Sequence, residues 1–149
     1  MMRTSMDECA RGVLETVPLV MRVIRGELRK HGARELSVPQ FRTLNFLSGH
    51  KGASLSEVAE HIGLTLPSMS TLVDGLVTRN FAVRRTHADD RRRVTLELTE
   101  RGQSTLRTAR DATQDYLAEQ LETLSSEDRN TVTKSMHVLR SVFEEKISQ

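Results

Sequence analysis

Apolar residues recur along this chain first with a helical period, then briefly in alternation, then helically again. From Met6 to His31, Val13, Leu14, Val17, Met21, Ile24 and Leu28 fall at helical spacing. Pro18 interrupts the run. Proline removes one helix hydrogen bond and clashes with the preceding turn, so a kink or break is expected near Thr16, and Gly32 ends the helix. Ser37-Val38-Pro39-Gln40 reads as a capping box with proline in the first turn, followed by Phe41, Leu44, Phe46 and Leu47 as the apolar side of a second helix ending near Gly49. Ser54-Leu55-Ser56-Glu57 is another such box. It opens a short helix with Leu55, Val58, Ala59 and Ile62 facing inward and Gly63 as its stop.

After Leu64, Thr65 is the expected N-cap of a fourth helix with Pro67 in its first turn and the stripe Met69, Leu72, Val73 and Leu76. Its other side shows Ser68, Ser70, Thr71, Asp74, Gly75 and Thr78. A surface helix with nothing to touch would more often carry Lys and Glu there. Phe81–Thr86 and Arg93–Leu98 then alternate, with Phe81 and Val83 apolar on one strand and Val94, Leu96 and Leu98 on the other, so they read as a hairpin with His87–Arg92 at its tip. Thr99 caps a long helix from Glu100 holding Leu106, Ala109, Tyr116, Leu117, Leu121 and Leu124. Ser125–Asp128 signals a last helix with the stripe Val132, Met136, Leu139 and Phe143. The order helix, turn, helix, basic hairpin is that of a winged helix-turn-helix. The expected fold is mainly α with a small β-hairpin wing, flanked by terminal helices: 1–36 as an N-terminal dimerisation region, 37–99 as the winged domain and 100–149 as C-terminal dimerisation helices.

Charge adds to this picture through its distribution. The chain of 149 residues carries a formal net charge of only +2, but Arg79, Arg84, Arg85, Arg91, Arg92 and Arg93 crowd one segment against Asp89 and Asp90. Such a patch suits phosphate, although charge alone equally fits a solvated hairpin. A helix-turn-helix presents the N-terminal side chains of its second helix to base edges in the major groove. Here those are Thr65, Ser68, Ser70 and Thr71, whose hydroxyls both donate and accept. Ser54, at the start of the preceding helix, joins the candidate DNA contacts. At the tip, an arginine reaching past the backbone enters a minor groove, most negative where A·T pairs narrow it. Asp90 could aim Arg92 through a bidentate ion pair, the plain alternative being a surface salt bridge. Arg91 and Arg93 complete the candidate wing contacts.

Other chemistries lack their parts. There is no Walker loop, Gly-x-Ser-x-Gly elbow or His-Glu-x-x-His, so no enzyme is expected. His31, His50, His61, His87 and His137 show no metal-ligand spacing, and neither a metal nor another cofactor is expected. With 3% aromatic residues and no tryptophan, a stacking platform for single strands is disfavoured. The run Val13–Ile24 is broken by Glu15, Pro18 and Arg22, so no membrane partner or export signal is expected. Cys9, the only cysteine, cannot form an intrachain disulfide, which fits a cytoplasmic protein.

The segments Leu36-Ser37-Val38-Pro39-Gln40-Phe41, Leu55-Ser56-Glu57-Val58-Ala59, Thr65-Leu66-Pro67-Ser68, Asp90-Arg91-Arg92 and Leu98-Thr99-Glu100-Arg101-Gly102 stand in one order over about sixty-five residues. In that order they resemble the MarR family of bacterial transcription regulators, and the flanking helices match the family's layout. The resemblance implies a homodimer whose terminal helices interlock, each winged domain reading half of a pseudo-palindrome. It places Ser68, Ser70 and Thr71 on the recognition helix, and Asp90 and Arg92 on the wing's acidic–basic pair. Many relatives carry a basic residue where Thr71 stands, so that contact is expected to be weaker or differently made. The residues also favour a dimer by themselves: both terminal segments are apolar-striped helices with little to bury against alone, and two winged domains about 34 Å apart gain affinity by linkage.

The resemblance further implies a small anionic aromatic effector, held between dimer helices and winged domain, and in some relatives a cysteine that senses oxidants. Arg22, Arg25, His31 and Arg42 lie on segments expected to line such a crevice, and each could hold a carboxylate or sit in an ordinary ion pair. Cys9 is the available thiol: a helix start and Arg11 would lower its pKa, while Asp7 and Glu8 oppose that. The chain thus reads as a ligand-responsive repressor binding duplex DNA as a homodimer, recognition helix in the major groove and wing arginine in the minor. The alternatives are a winged-helix protein-interaction module that never touches DNA, or an oxidant sensor working through Cys9.

Overall fold

The computed structural model describes residues 4–32 and 36–147. Helix α1 (Met6–Gly32) opens on Ser5, whose hydroxyl accepts the Glu8 N–H at 3.0 Å, and runs unbroken through Pro18. The expected interruption near Thr16 does not occur. Proline deletes one bond of the ladder, and the turns on either side keep their own.

Helix α2 (Val38–Gly49) begins with the capping box seen in the sequence. The Gln40 N–H donates to Ser37 Oγ at 3.2 Å, and the Ser37 N–H donates to Gln40 Oε1 at 3.0 Å. Strand β1 (Ala53–Ser54) leads into α3 (Leu55–Ile62), whose cap is Ser54 Oγ accepting the Glu57 N–H at 3.1 Å. Gly63 closes α3 with φ 82°, a left-handed conformation that glycine adopts without strain. Helix α4 (Leu66–Thr78) follows with Thr65 as N-cap. Strands β2 (Ala82–Thr86) and β3 (Val94–Leu98) then form the hairpin.

The sheet has three strands rather than two, in the order β1-β3-β2, all antiparallel. A two-residue strand leaves no alternation to read, so β1 was invisible as a pattern. The hairpin register also corrects the expected phase of β2. Ala82 pairs with Leu98, Arg84 with Leu96 and Thr86 with Val94. Directly paired residues share a face, so Ala82 and Arg84, not Val83, lie on the face of the buried Leu96. Phe81 is buried, as its hydrophobicity suggests, but precedes the strand.

Two buried clusters hold this part together. One gathers Leu36, Phe41, Leu44, Leu76, Phe81, Ala82, Leu106 and Ala109, with Leu28 of α1 packed on it. The other gathers Leu47, Ala53, Val58, Ala59, Ile62, Met69, Val73 and Leu96. Leu72 and Leu98 pack against both. Where the hairpin ends, Thr99 donates its N–H to the Phe81 carbonyl at 3.1 Å and its hydroxyl to the Asn80 carbonyl at 2.6 Å. Asn80 itself has φ 62°, which asparagine tolerates better than most residues. The same Thr99 hydroxyl accepts the Gly102 N–H, opening α5 (Glu100–Leu121). A Cβ at Gly102 would collide with the Phe81 carbonyl oxygen, so the Thr99-x-x-Gly102 sequence permits α5 to start against the β2 entry.

The chain divides into two compact units, Met1–Thr113 and Gln114–Gln149, with α5 continuing from the first into the second. The second comprises the end of α5 and α6 (Ser126–Ile147), whose first turn is capped by Ser125 Oγ accepting the Asp128 N–H at 3.1 Å. On α6, Val132, Met136, Val138, Val142 and Phe143 are exposed. On α1 of the first unit, so are Leu14, Val17, Leu19, Val20 and Val23. No helix among the described residues is long and apolar enough to cross a membrane.

Candidate nucleic-acid interface

Helices α3 and α4 meet at the Gly63–Thr65 turn, and the first turn of α4 is organised by its own hydroxyls. Thr65 Oγ1 accepts the Ser68 N–H at 3.3 Å and shares a 3.0 Å hydrogen bond with Ser68 Oγ. Met69, Val73 and Leu76 are fully buried beneath, which fixes the roll of the helix and leaves Thr65, Ser68 and Thr71 exposed. Thr71 donates its hydroxyl to the Pro67 carbonyl at 3.2 Å. Its proton is therefore spent, and it presents an acceptor outward. Ser70 is half-buried, and its oxygen accepts from the Arg84 guanidinium at 3.4 Å, which leaves its own proton to donate. Ser54, also half-buried, is committed to capping α3.

The hairpin sorts its arginines. Arg84 reaches back to α4, donating to the Asp74 carboxylate and to the Ser70 carbonyl at 3.1 Å. Arg85 donates to Glu97 of the neighbouring strand at 2.8 Å, a diagonal pair across the ladder. That hydrogen bond, with the positive charges of Arg85 and Lys51 acting in the same direction, holds the Glu97 carboxyl below the ordinary carboxylate range. Arg79 and Arg101 lie over the Phe81 ring, at 5.4 Å and 4.7 Å from its centroid. Arg91, Arg92 and Arg93 are exposed at the tip and make no ion pair among the described residues.

Asp90 differs from its expected role. Its carboxylate accepts the backbone N–H of Arg92 at 3.0 Å, and its carbonyl accepts the Arg93 N–H at 3.0 Å. Asp90 thus folds the tip as an Asx turn and does not aim the Arg92 side chain by an ion pair. At the other end of the tip, His87 Nε2 lies 3.1 Å from the hydroxyl of the buried Thr95. The sequence missed the commitments of Arg84 and Arg85. The signal that could have found them was register: an acid at 97 lies diagonal to 85, and 84 shares the face of Leu96.

A crevice of about 370 Å³ opens between α1 and α2, lined by Met21, Leu28, Val38 and Phe41 with Arg25, Arg29, Arg42 and Asn45. Two of the four expected effector-holding residues, Arg25 and Arg42, line it. Arg22 does not, and His31 instead lies 3.2 Å from the Glu27 carboxylate one turn earlier on α1. Cys9 is an exposed free thiol in the second turn of α1. Among the described residues no group of three His, Cys, Asp or Glu side chains could hold a metal ion.

A helix-turn-helix of α3 and α4, backed by α2 and extended by a three-stranded wing, defines the winged helix-turn-helix class. Residues 35–93 match the model of the MarR family. The chain is 29% identical over 119 residues to the helix-turn-helix-type transcriptional regulator YfiV of Bacillus subtilis, covering 80% of this chain and 74% of that one. To the transcriptional repressor YetL of the same organism it is 30% identical over 105 residues, 69% of this chain and 63% of that one. Its fold matches FabT of Streptococcus pneumoniae, solved in complex with DNA, with a TM-score of 0.61 at 20% identity over 93% of this chain and 95% of that one.

Proposed function

We propose that this chain binds duplex DNA as a homodimer and represses transcription, each protomer placing the first turns of α4 in the major groove and the wing tip in an adjacent minor groove. One observation carries the reading: the arms of the hairpin pair Arg84 and Arg85 with acids, whereas Arg91, Arg92 and Arg93 stand exposed on a tip that Asp90 folds. Positive charge left exposed at the far end of a hairpin beside a hydroxyl-lined helix suits phosphate and a narrow groove. The exposed apolar residues of α1 and α6 supply what a second copy would cover. The match to a MarR family model, a relative named as a repressor and the DNA-bound FabT fold support the same reading.

The crevice between α1 and α2 supplies the effector part of the proposal. Apolar walls with Arg25 and Arg42 at the lining suit a small aromatic carboxylate, the ring against Phe41 and Leu28 and the anion on a guanidinium. Such a ligand shifts DNA affinity only by its preference for one state of the dimer over the other.

The test begins by recovering duplexes from a random pool with the full chain and measuring their binding by fluorescence anisotropy across a salt series. DNA affinity should fall steeply with salt, and Arg92→Ala should weaken it and lower the log–log slope by about 0.9 for each lost phosphate contact. Recovery of no preferred sequence, with salt-insensitive binding, would sink the reading. Benzoate-type acids added to the complex should release DNA from the parent protein and not from Arg42→Ala.

A further inference from the structure

Arg84 stands apart from the other hairpin arginines because the register places it on the core-facing side of the sheet, beside Leu96. From there it spans to α4. One nitrogen donates to the Asp74 carboxylate and the other to the Ser70 carbonyl at 3.1 Å and the Ser70 hydroxyl at 3.4 Å. Ser70 and Asp74 are one turn apart on the same helix face. A single planar cation therefore grips two successive turns, which the rigid fork of a guanidinium can do and the point charge of a lysine cannot. The strand carrying Arg84 leads directly into the tip, and Ser70 neighbours Thr71 on the exposed side of α4. Arg84 thus ties together the two parts that the DNA-binding reading sends into different grooves.

We propose that Arg84 is a positioning residue for DNA recognition: it fixes the pose of α4 against the wing so that both engage one duplex at once, and it does not contact phosphate. The proposal rests on the DNA-binding reading above. Exposed ion pairs of this kind add little to folding stability, so the consequence falls on geometry. Two linked contacts reinforce each other only while their spacing is held.

Two fluorescein-labelled duplexes separate the possibilities: the best sequence recovered by the parent chain, and a shuffled duplex of the same base composition. Arg84→Lys keeps the charge and loses the fork. A positioning role predicts about a tenfold or greater loss on the recovered duplex, with shuffled-duplex affinity within about twofold and an unchanged salt slope. Asp74→Asn, which breaks the same tie from the helix side, should give the same loss of discrimination. Exchanging the pair as Asp74→Arg with Arg84→Asp should not restore it, because a carboxylate at 84 cannot donate to the Ser70 carbonyl. If Arg84→Lys binds both duplexes like the parent while Arg84→Ala weakens both and lowers the slope by about 0.9, Arg84 is a phosphate contact and the proposal is overturned. Failure of the parent protein to bind either duplex in a salt-dependent way is a different result: it removes the DNA-binding reading and takes this proposal with it.

Discussion

The arms and the tip of the wing are built from the same residue type on the same hairpin, yet arginine does different work in each. On the arms, Arg84 and Arg85 meet Asp74 and Glu97, and their charge is spent on the protein itself. At the tip, Arg91, Arg92 and Arg93 are exposed and make no ion pair among the described residues, and Asp90 turns its carboxylate onto the Arg92 backbone N–H. A count of positive charges along Arg79–Arg93 treats these as one patch. The register splits them into a frame and, under the proposed function, a contact surface.

The largest expected effects break the frame under both parts. Gly102→Ala places a Cβ into the Phe81 carbonyl where α5 starts, and should destabilise the fold by roughly 2–3 kcal/mol in denaturant unfolding. Met69→Ala, on the buried face of α4, should cost a similar amount, about 2–5 kcal/mol, by leaving a cavity. Substitutions at the tip should do the reverse. Arg92→Ala should leave stability within about 0.5 kcal/mol of the parent while weakening DNA binding. Asp90→Ala should loosen the tip and reduce DNA affinity without lowering the salt slope, since no cation is removed.

A smaller effect sharpens the arm side of the comparison. The Glu97 carboxyl is held below its ordinary range in the folded chain, so its contribution to stability is present above that range and is lost as pH falls through the lowered folded value. Glu97→Gln should therefore lose a little stability near neutral pH and flatten the acid limb of a thermal-unfolding pH series. Parallel acid limbs for the two proteins would remove that role.

Much of the winged domain was legible because its signals are local. Ser37, Gln40, Thr65, Pro67 and Gly63 each act within a few residues of chain, so the helix starts and stops they mark are where the structure has them. Pro18 misled because one lost bond does not end a long helix. β1 was missed because two residues carry no period. Val83 and Arg84 exchanged faces for a subtler reason: the buried Phe81 sits just before the strand, so counting alternation from it shifts the phase by one. Asp90 serves the Arg92 backbone N–H, a partner that only the folded tip decides. The close approach behind Gly102 involves Phe81, twenty-one positions away, and no local pattern encodes it.

The most direct test of the division between frame and contact surface is the salt dependence of duplex binding for three proteins: the parent, Arg92→Ala at the tip and Arg85→Ala on the arm. The log–log slope should drop by about 0.9 for Arg92→Ala and stay at the parent value for Arg85→Ala. Equal drops for both variants, or a parent whose binding ignores salt, would contradict the account.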